Sequence, residues 1–135
     1  INSLKTGELI FLAIGDNKIR TDFFKLLNKK NLKFINLVSP SSFVSNYSKL
    51  GKGVFVNNNS IINSRANLED NCIINSKALI EHDCIVSNHC HISTNVTING
   101  GVKIKSNSFI GSNVITKDNI IINENSFIKA GTLVK

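Results

Sequence analysis

The stretch Ile74-Asn-Ser-Lys-Ala-Leu-Ile80-Glu-His-Asp-Cys-Ile-Val86-Ser-Asn-His-Cys-His-Ile92 places a large aliphatic residue at every sixth position. A small residue follows four places later, at Ala78, Cys84 and Cys90. The register extends outward to Val44 and to Val134. Of the sixteen positions reached in steps of six, fifteen are aliphatic and Thr116 is the exception. Of the fifteen positions four residues on, only Ile120 is bulky. A period of six is neither the 3.6 of a helix nor the 2 of a long strand, and a repeat this regular marks a stacked architecture. We read each hexad as one side of a prism and three hexads as an 18-residue coil, with the aliphatic residue filling the interior. About five coils at roughly 4.8 Å each make a column about 24 Å tall.

Third after each aliphatic come Tyr47, Gly53, Asn59, Arg65, Asn71, Lys77, Asp83, His89, Asn95, Gly101, Asn107, Asn113, Asn119, Asn125 and Gly131. Asn and Gly dominate because they tolerate the positive φ of a tight corner. Residues 18 apart are expected to stack at strand spacing. The outward residues then form three files, of which Phe55, Ile73, His91, Phe109, Phe127 and Ile61, Leu79, Thr97, Ile115, Leu133 are largely apolar. The third file, Lys49, Asn67, Ile85, Lys103, Ile121, is mixed. Apolar rows outside an already filled prism predict burial against further copies of the chain, in a threefold homo-oligomer.

The sequence divides at Pro40, the only proline. Before it, Leu9 to Ile14 is a continuous apolar run that suits a strand. Asp16 or Asn17 can cap a helix carrying Ile19, Phe23, Leu26 and Leu27, and Phe34 to Val38 reads as a second strand. Residues 1–40 are therefore expected to be the C-terminal part of an α/β, Rossmann-like, nucleotide-sugar-binding domain, and 41–135 the β-helix. The opening Ile1 to Lys5 has neither a leader pattern nor an initiator methionine, so the chain reads as beginning inside a longer protein.

Composition narrows the function classes. With 41% hydrophobic and 19% charged residues among 135, the chain is too apolar for intrinsic disorder. Its longest apolar run falls far short of the roughly 20 residues of a membrane span, so no membrane insertion is expected. The net charge of +7 includes only two arginines, Arg20 and Arg65, among scattered lysines, which argues against a nucleic-acid partner. Three cysteines without a CxxC pair make neither a disulfide framework nor a zinc knuckle and fit a reducing cytoplasm.

The repeat, together with Ile80-Glu-His-Asp-Cys84, Cys90-His-Ile-Ser93, Ala13-Ile-Gly-Asp-Asn-Lys-Ile-Arg20 and Leu37-Val-Ser-Pro-Ser-Ser-Phe-Val44, resembles the hexapeptide-repeat bacterial sugar acetyltransferases. The branch comprises the sialic acid O-acetyltransferases and the UDP-4-amino-sugar N-acetyltransferases of bacillosamine-type sugars. The resemblance covers essentially the whole chain. It implies a mainly β, left-handed parallel β-helix, acetyl-CoA as acetyl donor, a homotrimer, a bacterial cytoplasmic location and a UDP-linked 4-amino sugar as acceptor. Sialic acid O-acetylation, or a trimeric scaffold without catalysis, is the alternative. Family members usually begin with a further strand and Gly-rich turn and end with a Gly-x-Pro-Ala-type tail, neither of which this sequence contains.

By the same resemblance His82 is the general base that takes a proton from the acceptor as it attacks the thioester; otherwise it is a solvated corner histidine. Asp83 is the residue that orients its ring, or else pairs with Arg65, 18 residues earlier. Glu81 is a second acidic candidate beside His82, or a surface residue bonded to Asn63 and Asn99. His91 meets the thioester end of acetyl-CoA at a site shared between chains, unless it is a satisfied interface histidine. Gly100, Ser112 and Ala130 fall where relatives approach the pantetheine arm with backbone groups, and Asn75 falls near the acceptor. His82, His89 and His91 together suggest zinc, as in β-helix carbonic anhydrases. Their spacing differs from that family's, so no metal is assigned. Cys72, Cys84 and Cys90 occupy the small inward position, where a thiol packs as a small hydrophobe.

Overall fold

A hexad whose one large residue must face inward can hold only a two-residue strand before the chain turns, and the strands are of that length. The computed structural model describes residues 6–30 and 32–135; the opening Ile1 to Lys5 lies outside the described residues. From Leu37 onward the chain is a parallel β-solenoid with three faces. The first stacks Leu37–Val38, Phe55–Val56, Ile73–Ile74, His91–Ile92, Phe109–Ile110 and Phe127–Ile128. The second stacks Phe43–Val44, Ile61–Ile62, Leu79–Ile80, Thr97–Ile98, Ile115–Thr116 and Leu133–Val134. The third has five strands, from Lys49–Leu50 through Asn67–Leu68, Ile85–Val86 and Lys103–Ile104 to Ile121–Ile122. Within the solenoid the paired residues are 18 apart, as in Leu79↔Thr97 and His91↔Phe109.

The interior is a single column of the inward aliphatics and the small residues between them, from Val54 to Ile122. Cys72, Cys84 and Cys90 are fully buried in it. Their thiols donate to the carbonyls of Ser87, Asn99 and Lys105 on the next coil, at 3.1, 3.1 and 3.2 Å. Burial pushes the Cys84 and Cys90 thiols up to about 11, and Cys72 higher still, so these groups are packing residues rather than nucleophiles.

Fourteen of the fifteen expected corner residues have φ between 57° and 71°. Tyr47 is the exception: it sits on the first coil, its N–H bonds the Ser45 Oγ at 3.2 Å, and among the described residues it makes no ladder bond to a corner below. Arg65, Lys77, Asp83 and His89 do adopt positive φ against their Cβ. The ladder compels them, as in the bond from Asp83 N to Ser64 O at 3.2 Å.

The N-terminal unit comprises β1 (Leu9–Ile10), α1 (Asn17–Asn28) and β2 (Lys33–Phe34), with β1 and β2 parallel. Asp16 caps α1 by accepting the Ile19 N–H at 2.8 Å. Both strands are shorter than expected. Phe34 to Val38 divides: Phe34 pairs with β1, whereas Leu37–Val38 is already the first rung of the solenoid and pairs with Phe55–Val56. Asn36 makes the transition by donating to Gly51 O at 2.7 Å and accepting from Val54 N at 2.9 Å. With no longer partner for β1 to ladder with, Phe11 to Gly15 leave the pair and cross the first face.

The helix packs along the corner file Gly53, Asn71, His89, Asn107. Phe24 stands 5.4 Å from the His89 ring, edge-on, and Asn17 donates to Ser108 O at 3.2 Å. The first face is consequently not left wholly to other copies of the chain, as the sequence reading expected. Phe11 packs edge-on against Phe55 at 5.9 Å, and Gly15 lies over His91. On the second face Phe43, Ile61, Ile115 and Leu133 stay exposed, Phe43 at 57% and Leu133 at 59%, and Leu79 is half-buried.

Candidate active site

The corner between the second and third faces stacks Ser64, His82, Gly100 and Asp118 in one file and Arg65, Asp83, Gly101 and Asn119 in the next. The left-handed φ of 61° at Asp83 turns its carboxylate back beside the preceding side chain. Asp83 Oδ2 lies 2.7 Å from His82 Nδ1. The same carboxylate receives both arms of the Arg65 guanidinium, at 2.5 and 2.9 Å. Asp83 therefore both pairs with Arg65 and faces the histidine. Arg65 foremost, and then His82, holds this carboxyl well below the usual carboxylate range. An ionised carboxylate only accepts, so Nδ1 carries the ring proton and Nε2 of the neutral ring is left as a lone pair.

His82 is 59% exposed, in an open cleft of about 300 Å³ lined by Asp83, Gly100, Gly101, Asp118 and Asn119. A Cβ on Gly100 would fall 2.9 Å from His82 Cε1 and Nε2. Gly100 thus gives the histidine ring its resting place, rather than leaving that space to a ligand. Asp118 and Asn119 were not singled out from the sequence. The 18-residue register would have found them, because Asp118 follows Gly100 and Asn119 follows Gly101.

Glu81 does not join this group. Its carboxylate accepts from Asn63 Nδ2 at 2.9 Å, while Asn99 bonds Thr116, so Glu81 belongs to a surface ladder on the other side of the chain from His82.

The remaining candidates lie elsewhere on the prism. His91 is on the first face, and Asn75, Ser112 and Ala130 are at the corner between the first and second faces. A cavity of about 490 Å³ is bounded by Phe11 to Gly15 on one side and by Phe55, Asn57, Asn75 and His91 on the other. Asn57 Nδ2 donates to Asn75 Oδ1 at 3.0 Å. His91 Nδ1 donates to Gly15 O at 3.2 Å, its ring meets Phe109 edge-on at 5.1 Å, and its Nε2 is buried without a partner. Ser112 offers its carbonyl to Gly131 N at 2.8 Å, one step beyond Ala130. One chain therefore presents two separate groups, His82, Asp83 and Gly100 at one corner, and His91, Asn75, Ser112 and Ala130 around the next.

Burial depresses the pKa of both His89 and His91 below the ordinary 6.5; Lys25 and Arg20 add to the effect at His89, while at His91 the bond to Gly15 O partly opposes it. Below pH 6.5 the unfolded chain therefore binds more protons than the folded one. The stability these rings allow is complete above pH 6.5 and is lost as pH falls through their folded values. The urea midpoint is expected to drop between about pH 7 and about pH 5, before most carboxylates titrate, and to drop less in a His89→Gln, His91→Gln variant. A wild-type midpoint that stays level across that interval would contradict the assignment.

The fold defines a hexapeptide-repeat β-solenoid with a histidine–carboxylate pair at one corner. A family model for the GMPPB C-terminal domain matches residues 34–134, and the chain belongs to that family. In structure it resembles PerB from Caulobacter crescentus in complex with CoA and GDP-perosamine, with a TM-score of 0.93 and 30% identity over 95% of this chain and 62% of that one. A histidine-to-asparagine mutant of perosamine N-acetyltransferase from the same organism, also with CoA and GDP-perosamine, gives 0.93 and 29% over 95% and 61%. The acetyltransferase domain of PglB from Neisseria gonorrhoeae FA1090 gives 0.90 and 24% over 93% and 62%, a likeness of fold. The chain spans less than two thirds of the length of each of these relatives. No curated protein matches it. The resemblance read from the hexads and from Ile80 to Cys84, to sugar acetyltransferases with this repeat, agrees with these structures.

Among the described residues, no helix is long and apolar enough to cross a membrane, and no three His, Cys, Asp or Glu side chains gather as a metal site.

Proposed function

We propose that the chain is the acetyl-transferring part of a sugar N-acetyltransferase that uses acetyl-CoA, with a nucleotide-linked 4-amino sugar as acceptor. The observation that carries this reading is the 2.7 Å approach of Asp83 to His82 Nδ1 in an open cleft beside Gly100. His82 Nε2 takes the proton from the sugar amine as the nitrogen bonds to the acetyl carbonyl carbon. The C–S bond breaks and CoA leaves as the thiolate, which is then protonated. Asp83 keeps the ring in the Nδ1–H tautomer and stabilises the imidazolium that forms. The relatives in complex with GDP-perosamine support an amino-sugar nucleotide; the UDP-linked sugar favoured by the sequence is the narrower expectation.

The His82 corner and the corner of Asn75, Ser112 and Ala130 lie at opposite edges of the second face, with His91 on the first face beside the latter, and Phe43, Ile61, Ile115 and Leu133 of the second face are exposed. Packing that face against a neighbouring copy would bring the His82 corner of one chain to the His91 side of the next. This arrangement supports the reading of a homotrimer with shared sites. The donor side would be formed by His91, with backbone groups of Ser112 and Ala130. The cavity of about 490 Å³ beside His91 and its unpartnered ring nitrogen are compatible with a ligand there.

The test is calorimetric titration with acetyl-CoA, with the mass in solution determined by light scattering. The expected result is a trimer that binds near one acetyl-CoA per chain, with affinity at least about tenfold weaker in His91→Ala. A folded trimer with no saturable binding would refute the proposal.

A further inference from the structure

Arg20 is only 1% exposed and, among the described residues, has no carboxylate partner. A buried cation without an anion is costly unless each of its N–H groups is satisfied. Here five bonds answer the five donors of the guanidinium. Nη1 reaches Ile14 O at 3.2 Å and Gly15 O at 3.1 Å. Nη2 reaches Asn17 Oδ1 at 2.8 Å and His89 O at 3.1 Å, and Nε reaches Asn71 O at 3.2 Å. Two of these acceptors belong to the connection between β1 and α1, one to Asn17 at the start of α1, and the other two to stacked solenoid corners. Helix stability does not explain the residue, because a cation in the first turn opposes the helix dipole. Only a planar fork can hold both sides at once, so lysine is no substitute.

The Gly15 carbonyl held by Arg20 also accepts the His91 Nδ1–H at 3.2 Å. A carbonyl has two lone pairs, so both bonds can form together. We propose that Arg20 is a positioning residue for the donor side of the site: by fixing the Gly15 carbonyl it sets His91 as the Nδ1–H tautomer and fixes its ring. The importance of His91 rests on the function proposed above, but its tautomer does not. Removing the guanidinium would free the Ile14 to Asn17 connection, turn the Gly15 carbonyl and leave both His91 nitrogens without a partner.

The test is long-range ¹⁵N–¹H NMR of the uniformly labelled chain at neutral pH. His91 is expected to show a pyrrole-like Nδ1 and a pyridine-like Nε2. In Arg20→Lys, which keeps the charge and loses the fork, the two ring nitrogens should move toward averaged shifts while the amide spectrum of the solenoid persists. Asn17→Ala, which removes one of the five Arg20 acceptors together with the Asn17 bond to Ser108 O, should cause a smaller change in the same direction and serves as the deciding variant if Arg20→Lys does not fold. Wild-type His91 protonated on Nε2 overturns the proposal, and so does an unchanged tautomer pattern in the deciding variant. Because the readout needs no acetyl-CoA, failure of the acetyltransferase reading would appear separately, as absent cofactor binding by a chain whose His91 still carries Nδ1–H.

Discussion

His82→Ala is expected to lower acetyl transfer to an amino-sugar nucleotide by about 10²- to 10⁴-fold while leaving the fold and assembly intact. The imidazole is more than half exposed and contributes nothing to the buried column, so its removal creates no cavity. What it removes is the Nε2 lone pair, whose basic form is set by Asp83 on the opposite ring nitrogen. Asp83 is itself held ionised by Arg65, so the pair is organised before any ligand arrives. Asp83→Asn should give a smaller loss, because an amide can present either a donor or an acceptor to Nδ1 and no longer fixes the tautomer. Release of CoA thiol measured against a panel of nucleotide-linked amino sugars checks both variants. Turnover by His82→Ala within a few-fold of the wild type would remove His82 as the base.

The solenoid was legible because its contacts recur every 18 residues. Once Val44 to Val134 is in register, the pairing of Leu79 with Thr97 and the closeness of Arg65 and Asp83 follow by addition, and so does the asparagine and glycine corner file. Asp118 and Asn119 were within reach of the same rule. The docking of α1 was not. A lateral contact such as Phe24 with His89, or Arg20 with two stacked corner carbonyls, has no period and leaves no local trace in the sequence. The same holds for Phe11 and Gly15 over the first face, which the sequence had assigned to neighbouring copies. Glu81 illustrates a different limit. Its position beside His82 suggested a shared role, but alternate side chains of an extended segment point to different sides, and Asn63 holds it away.

Ile92→Ala is expected to destabilise the folded chain by about 2–5 kcal/mol, toward the upper end of that range. Ile92 is fully buried in the middle of the column, paired with Ile74 on the coil before it and Ile110 on the coil after it. The cost depends on how far the surroundings can collapse into the space left, and here they can do so very little. Backbone bonds such as Asn75 N to Ile92 O and Ser93 N to Ile110 O, both 2.9 Å, hold the coils at strand spacing on either side of the vacated volume. In a linear stack each coil is stabilised only by its neighbours, so a cavity in the middle also weakens the coupling between the two halves. Urea unfolding should show a lower midpoint and a broader transition. Hydrogen exchange should show amides beyond Ile110 losing protection before those near Ile62. Ile121→Ala, at an outward position 61% exposed on the third face, should change stability by no more than about 0.5 kcal/mol. A loss below about 1 kcal/mol for Ile92→Ala would mean that the column relaxes between its ladders, contrary to a stack spaced by its backbone.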